Sequence, residues 1–494
     1  MSETLLSRTR ALLVRAGQEI PDPAAQTLLS AALERLDEPL RVAIAGKVKA
    51  GKSTLLNAMV GEELAPTDAG ECTRIVTWYR DGRAYRVILH LVGGGQVQRP
   101  FDRVSGAIRI DLGRPADQVD RLDVEVPSRR LRQHTLIDTP GIDSVSTEVS
   151  MRTLAFMEAD SERSAQADAV IYLLRHMHGS DLRFLEAFQR DELVRGSPIN
   201  AVGVLSRADE IGSCRLNAME AAGRVAARYQ ADERLRALCP IVVPVSGLLG
   251  VAGATLREDE FRCLATIAGA PIADVVDLLL TADRFAASAS PISVDVPTRR
   301  GVLARLGLFG VRLGIQLIRA GSVRSAEELA RELTARSGLT RLNEIIEAQF
   351  VDRSRVLKAR SALAALETVL RTGHHDAAGP LAAAAEEIRA SAHEFVEVRI
   401  LHLLRSGRLS GPAEQLTEME RLLGGSGTET AVRLGLPTGA SAEQLVTAAE
   451  QALARWQRIA EHPLHGRELR TAARATARTC EGILAAVHSP GADG

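Results

Sequence analysis

The chain has 494 residues, 61 basic and 62 acidic, with 46% hydrophobic and only 3% aromatic content. A near-neutral balance gives no field that steers the molecule to nucleic acid, and few aromatics are available to stack on bases. Five scattered cysteines with no CxxC spacing predict reduced intracellular thiols rather than a disulfide framework or metal site. The length suggests two to four domains.

Residues 1–37 carry the apolar periodicity of one or two amphipathic helices. They lack the apolar core of a secretory signal. A short apolar strand follows, Arg41–Ala45, and then Gly46-Lys47-Val48-Lys49-Ala50-Gly51-Lys52-Ser53, which fits G-x-x-x-x-G-K-[ST]. Three of the chain's four lysines lie here, against 57 arginines in the whole sequence. A compact ammonium reaches phosphates through a narrow loop where the planar arginine fork does not substitute, so Lys52 is expected on the β- and γ-phosphates. Gly46, Lys49, Ala50, Gly51, Lys52, Ser53 and Thr54 form the expected phosphate-binding loop, opening the helix that begins "STLLNAMVG". Ser53 is the expected Mg²⁺ ligand from the loop.

Between Gly70 and Arg80, Thr73 is the favoured switch threonine for Mg²⁺ and γ-phosphate, with Thr67 and Thr77 as rivals. "YRVILHLVGGGQVQRPF" predicts a hairpin. Thr135–Asp143 reads as a strand ending in Asp138-Thr139-Pro140-Gly141. Asp138 would hold Mg²⁺, usually through water, and the Gly141 N–H would sense the γ-phosphate. Ile199–Glu210 is a buried strand followed by Ser206-Arg207-Ala208-Asp209. GTPases carry [NT]-K-x-D there, and the carboxylate of Asp209 would take both guanine donors. Arg207 replaces the usual lysine, and Ser206 the usual asparagine or threonine, which bears on guanine affinity more than on guanine choice. Ile241–Gly247 is a further strand whose Ser246-Gly247 turn would contact the base. Every motif follows the C-terminal end of an apolar strand, as ligands require in open α/β sheets.

In order and spacing these motifs resemble those of bacterial dynamin-like GTPases over Arg41–Gly247. The resemblance implies an α/β P-loop GTPase domain, a mostly parallel sheet with helices on both faces. It also implies an all-α stalk built from the N-terminal helix and the C-terminal third. Mg²⁺ is the implied cofactor, and GTP and GDP the ligands. The residue after DTPG is Ile142, not a water-positioning glutamine. The family relies instead on the loop position held here by Lys49 and on dimerisation across the nucleotide face. Lys49 is thus either a charge supplied in cis, like an arginine finger, or a solvated loop charge. Catalytic roles fall to Lys49, Lys52 and Thr73. Implied partners are a second copy or another dynamin-like protein, with an anionic membrane surface and no nucleic acid. The implied location is cytoplasmic, peripheral at the inner face of the plasma membrane. The resemblance further implies membrane remodelling, envelope stress response and drug tolerance. An accessory subunit that serves a larger dynamin-like partner, without remodelling membrane itself, is the alternative.

The expected organisation is 1–37 with the stalk, 38–350 as GTPase domain, 351–488 as a bundle of four or five helices, and 489–494 as a frayed tail. Val302–Ile318 is apolar apart from Arg305, Arg312 and Gln316, and Arg305, Arg312 and Arg319 share one stripe. Such a helix can lie among headgroups. The preferred reading is a helix buried at the back of the GTPase domain, its arginines capping or pairing at the rim. His374-His375-Asp376, in a glycine-flanked turn, is read as a solvated loop rather than a metal site.

Overall fold

The computed structural model describes residues 4–65, 75–104, 107–140, 167–175, 181–182, 185–186, 200–287, 289–373 and 377–488. Thr67, Thr73, Gly141 and the His374–Asp376 turn lie outside these residues, as does the tail.

Two helices open the chain. α1 (Leu5–Glu19) starts where the Thr4 hydroxyl accepts from the Ser7 N–H, and α2 (Pro23–Arg35) where Asp22 caps and proline occupies the first turn. Next come β1 (Leu40–Gly46) and α3 (Lys52–Val60). Strands in the residues that follow are β2 (Val76–Asp81), β3 (Arg86–Leu91), β4 (Gln96–Arg99), β5 (Phe101–Val104), β6 (Ala107–Ile110), β7 (Val119–Val126), β8 (His134–Asp138), β9 (Ala169–Leu174) and β10 (Ala201–Leu205). β3 and β4 form the predicted antiparallel hairpin.

After α4 (Ala218–Ala231) and α5 (Glu233–Leu238), β11 (Val242–Pro244) completes a sheet of nine described strands. Its order is β11-β10-β9-β1-β8-β2-β7-β3-β4, while β5 and β6 pair separately. The strands from β11 to β8 are all parallel, and β2 joins β8 antiparallel. β9 is buried along its whole length, as a central parallel strand covered on both faces must be.

Six helices follow: α6 (Gly247–Thr255), α7 (Glu258–Gly269), α8 (Ile272–Leu278), α9 (Ala282–Ala287), α10 (Val296–Arg319) and α11 (Ala326–Arg336). They share one core around Leu264, Phe285, Leu306 and Phe309. α12 (Leu339–Ile346) runs through a π-helical turn, Glu347–Val351, towards α13 (Ser354–Thr372). Then come α14 (Ala378–Ser391), α15 (His393–Arg405), α16 (Ala413–Leu422), α17 (Thr430–Leu434), α18 (Ala442–Glu461) and α19 (Arg467–His488).

The C-terminal third therefore holds seven described helices rather than four or five. The two extra breaks fall at Ala392, where no glycine or proline announces them, and after the five-residue α17. α15 to α19 close a separate core around Trp456. By contrast, α1, α2, α13 and α14 share a continuous core with one face of the sheet. Asp168 fastens that junction. Its buried carboxylate accepts from Arg35 at 2.8 Å, the Arg41 N–H at 2.9 Å and Ser361 at 2.7 Å.

Candidate functional site

β1 ends in the loop that turns into α3, and its geometry is set by glycine. Gly46 has φ +151°, and a Cβ there would lie 2.9 Å from the Leu173 carbonyl oxygen of β9. Only glycine lets these two strands close at this point. The Lys52 ammonium is folded back onto carbonyls of its own loop, 3.2 Å from Gly46 O and 3.3 Å from Lys47 O. Burial lowers its pKa, and the Asp138 charge acts in the opposite direction. An ammonium so placed has only weak neutral partners to leave when an anion enters.

The other two loop lysines diverge. Lys47 pairs with the buried Asp181 at 3.2 Å, whose Oδ1 also accepts from Tyr172 at 2.8 Å. That ties the loop to its neighbour. Lys49 is exposed and in the left-handed region at φ +62°, which a non-glycine residue rarely occupies.

At the C-terminal end of β8, Asp138 Oδ2 accepts from the Ser53 hydroxyl at 3.1 Å. The Asp138 Oδ1 atom is sealed from solvent and has no hydrogen-bond partner among the described residues. Burial pushes its pKa up to about 6, against the pull of Lys52 and Ser53. An orphaned carboxylate oxygen beside a hydroxyl suits a hard, oxygen-seeking dication, so these two residues fit Mg²⁺. Thr139 holds the next loop in place by donating to Ile44 O at 2.9 Å. Thr77 lies inside β2, opposite Asp138 in register, with its hydroxyl on Ile75 O at 3.3 Å.

On the opposite side of the loop is a cavity of about 120 Å³ lined by Ala50, Gly51 and Thr54 together with Ser206, Arg207, Asp209, Gly247 and Leu248. The two distant sequence motifs thus share one pocket with the phosphate loop. Asp209 lies in a short 3-10 turn, Ala208–Glu210, and is 4% exposed. Burial raises its pKa, and a hydrogen bond from Ser246 opposes this. Ser206 donates to Leu174 O at 3.3 Å, so it braces the loop from below. Arg207 is turned outward onto Glu210 at 2.8 Å, leaving its stem along the pocket wall. Ser246 caps α6, accepting from the Leu249 N–H at 3.3 Å.

One neighbour of the pocket carries no motif. Gly307 interrupts α10 at φ +66°. A Cβ at this position would sit 3.2 Å from Leu248 Cδ1 and 3.7 Å from Asp209 Oδ2. Two residues earlier, Arg305 bonds Glu63, Glu260 and, at 2.8 Å, Thr255 O. Arg312 caps Leu279 O and Leu280 O and reaches Ser213 O and Cys214 O, just beyond the Asp209 turn. Arg319 caps Ala268 O at 2.6 Å. α10 is long and apolar enough to cross a membrane, yet half of its apolar window is buried in the protein. The striped arginines do cap and pair at its rim. Gly307 brings the middle of this helix beside the base pocket.

Residues 42–204 match the dynamin family. The chain is 41% identical over 455 residues to the isoniazid-induced protein IniC of Mycobacterium tuberculosis, covering 91% of each. The isoniazid-induced protein IniA of the same species is 33% identical over 141 residues, 27% of this chain and 22% of its own. The bacterial dynamin-like protein of Nostoc punctiforme is 32% identical over 118 residues, 21% of this chain and 17% of its own. A P-loop, a DTPG loop and a carboxylate-bearing base turn gathered at one end of a mostly parallel sheet, with near full-length likeness to IniC, place this chain in the bacterial dynamin-like GTPase family.

Proposed function

We propose that this chain binds GTP with Mg²⁺ and hydrolyses it to GDP and phosphate. The observation that carries the reading is the shared cavity of the phosphate loop and Asp209. Guanine offers two adjacent donors, N1–H and N2–H, to one carboxylate. Adenine offers no such pair and would leave a buried carboxylate unsatisfied. In this reading Lys52 leaves the Gly46 and Lys47 carbonyls for the phosphates. The N–H groups at the start of α3 hold phosphate oxygens with the helix dipole behind them. Mg²⁺, held by Ser53 and Asp138, with Thr73 as the third candidate, supplies charge neutralisation at the phosphates. Gly141 stands as the γ-phosphate sensor and Lys49 as a charge supplied in cis to the departing group.

The test is a thermal-shift series with GDP, GTP and ATP, each with Mg²⁺, beside a phosphate-release assay. Stabilisation by both guanine nucleotides and none by ATP is expected. Equal protection by ATP and GTP would overturn the base assignment.

Hydrolysis would be coupled to self-association, or to assembly with another dynamin-like protein, and to membrane remodelling or maintenance at the inner membrane face. The names of the relatives connect those proteins to isoniazid, and a role here in envelope stress and drug tolerance belongs to the same proposal. The accessory-subunit reading draws support from α10, whose apolar residues are spent on an internal core. Sedimentation of this chain alone with anionic liposomes, with and without GTP, separates the two. GTP-dependent co-sedimentation favours direct remodelling, and its absence favours the accessory role.

A further inference from the structure

A cluster of arginines lies where α1 and α13 meet α15 and α19. A cavity of about 520 Å³ opens there between α1, α13, α15, α19 and the turn before α17. Arg8, Arg353, Arg355, Arg433 and Arg478 line it. Two of its three acidic lining residues are already engaged. Asp352 accepts from the Thr428 N–H at 3.1 Å, and Glu397 from Arg433 at 2.5 Å and Thr479 at 2.7 Å. Glu394 is the third, and it is exposed.

The cations are less well matched. Arg355 and Arg478 are exposed and make no hydrogen bond or ion pair among the described residues. Arg353 is 4% exposed, yet its guanidinium bonds only neutral acceptors, Gly424 O at 2.5 Å and Gln349 Oε1 at 3.4 Å. A buried cation without a carboxylate is costly unless something else supplies negative charge. Its pKa is accordingly lowered to about 9, by burial first and then by Arg405.

The backbone adds to the imbalance. The N-terminal turns of α1, α13 and α15 all contribute to the lining. Each turns the positive end of its dipole towards this space. Three helix starts and a surplus of guanidinium groups converge on one concave space, a combination suited to planar, bidentate recognition of phosphate.

We propose that this cavity binds a compact anion carrying two or more phosphate groups, which ties α1 and α13 to the distal bundle of α15 to α19. The phosphates can come from a soluble metabolite or from a lipid headgroup, and the chemistry of recognition is the same.

The full chain, saturated with GDP and Mg²⁺ so that the phosphate loop is filled, is titrated calorimetrically with inositol 1,4,5-trisphosphate. In parallel it is sedimented with vesicles containing phosphatidylinositol 4,5-bisphosphate, which presents a matching headgroup. Wild type should bind at least one probe. The double variant R355E/R478E should lose affinity tenfold or more. Its melting temperature without probe should be unchanged, because neither side chain is bonded in the free protein. Binding of the soluble probe alone assigns a metabolite, and binding of vesicles alone assigns a headgroup. No binding of either probe by wild type, or equal binding by the double variant, overturns the proposal. Binding lost in Lys52→Ala but kept in R355E/R478E also overturns it, since the probe would then be reading the phosphate loop.

Discussion

Lys52 and Lys49 sit three positions apart in one loop and meet opposite surroundings. Lys52 is half-buried against carbonyls, whereas Lys49 is exposed in a strained backbone conformation. Lys52→Ala should abolish nucleotide binding in a fluorescent-GDP titration. Lys49→Ala should keep GDP affinity within about twofold and lower single-turnover hydrolysis by roughly tenfold or more, because its charge is felt mainly as the γ-phosphate departs. Wild-type hydrolysis in that variant would reduce Lys49 to a loop charge. Gly307 invites a third substitution. At φ +66° and ψ +169°, a region essentially reserved for glycine, alanine costs about 1–3 kcal/mol in backbone strain and crowds Leu248 against the base turn. Gly307→Ala should therefore weaken GDP about tenfold while leaving pyrophosphate affinity alone, measured by competition. The phosphate-loop residues were legible in the sequence because their spacing is dictated by the shape of a phosphate. Gly307 was not, since its role depends on which helix folds back over Asp209, a contact spanning about a hundred residues.

α10 decides how the helical layer behaves as a unit. Phe309 is 2% exposed and lies in the core with Leu306 and Leu313. Changing Leu308 and Phe309 together to serine should destabilise the protein by several kcal/mol, about 3–5 for the aromatic truncation alone. Chemical denaturation measures this. A double variant that stays fully stable and loses liposome binding would instead place the helix face on a membrane. Asp168 offers a test one layer away, where α2, β1 and α13 meet. Asp168→Ala removes a buried acceptor shared by Arg35, the Arg41 N–H and Ser361, and should cost about 1–3 kcal/mol. At this scale the sequence announced elements that carry periodicity or loop chemistry, such as β1, β8, β10 and the β3–β4 hairpin. It was silent on the helix break at Ala392, and the burial of Val302–Ile318 was legible while its address was not. Periodicity reports which face of a helix is apolar, but not which neighbour covers it.

Taken whole, the molecule has a core that runs without interruption from the sheet into α1, α13 and α14, and a separate one in α15 to α19. Two histidines contribute to the dependence of its stability on pH, while the raised Asp138 carboxyl acts in the opposite direction between about pH 4 and 6. Burial pushes His402 and His134 down to about 4, with Arg408 adding to the effect at His402. In the unfolded chain both take up protons near 6.5. Between those values the unfolded state binds protons that the native state refuses, so stability falls as pH drops from about 6.5 towards 4. Each histidine contributes at most about 1.4 kcal/mol per pH unit. His402→Gln should flatten the slope of melting temperature against pH between 7 and 5; an unchanged slope would remove it from the account. The scarcity of lysine has a consequence of a different kind. Amine-selective reagents find only four side chains on the entire protein, and one of those, Lys358, is held on Leu36 O at 3.3 Å. Lys47 is paired and Lys52 enclosed, so Lys49 should acylate first. Mass spectrometry of a single peptide would then read nucleotide occupancy in a crude extract, with no engineered label and almost no background from the arginine-covered remainder.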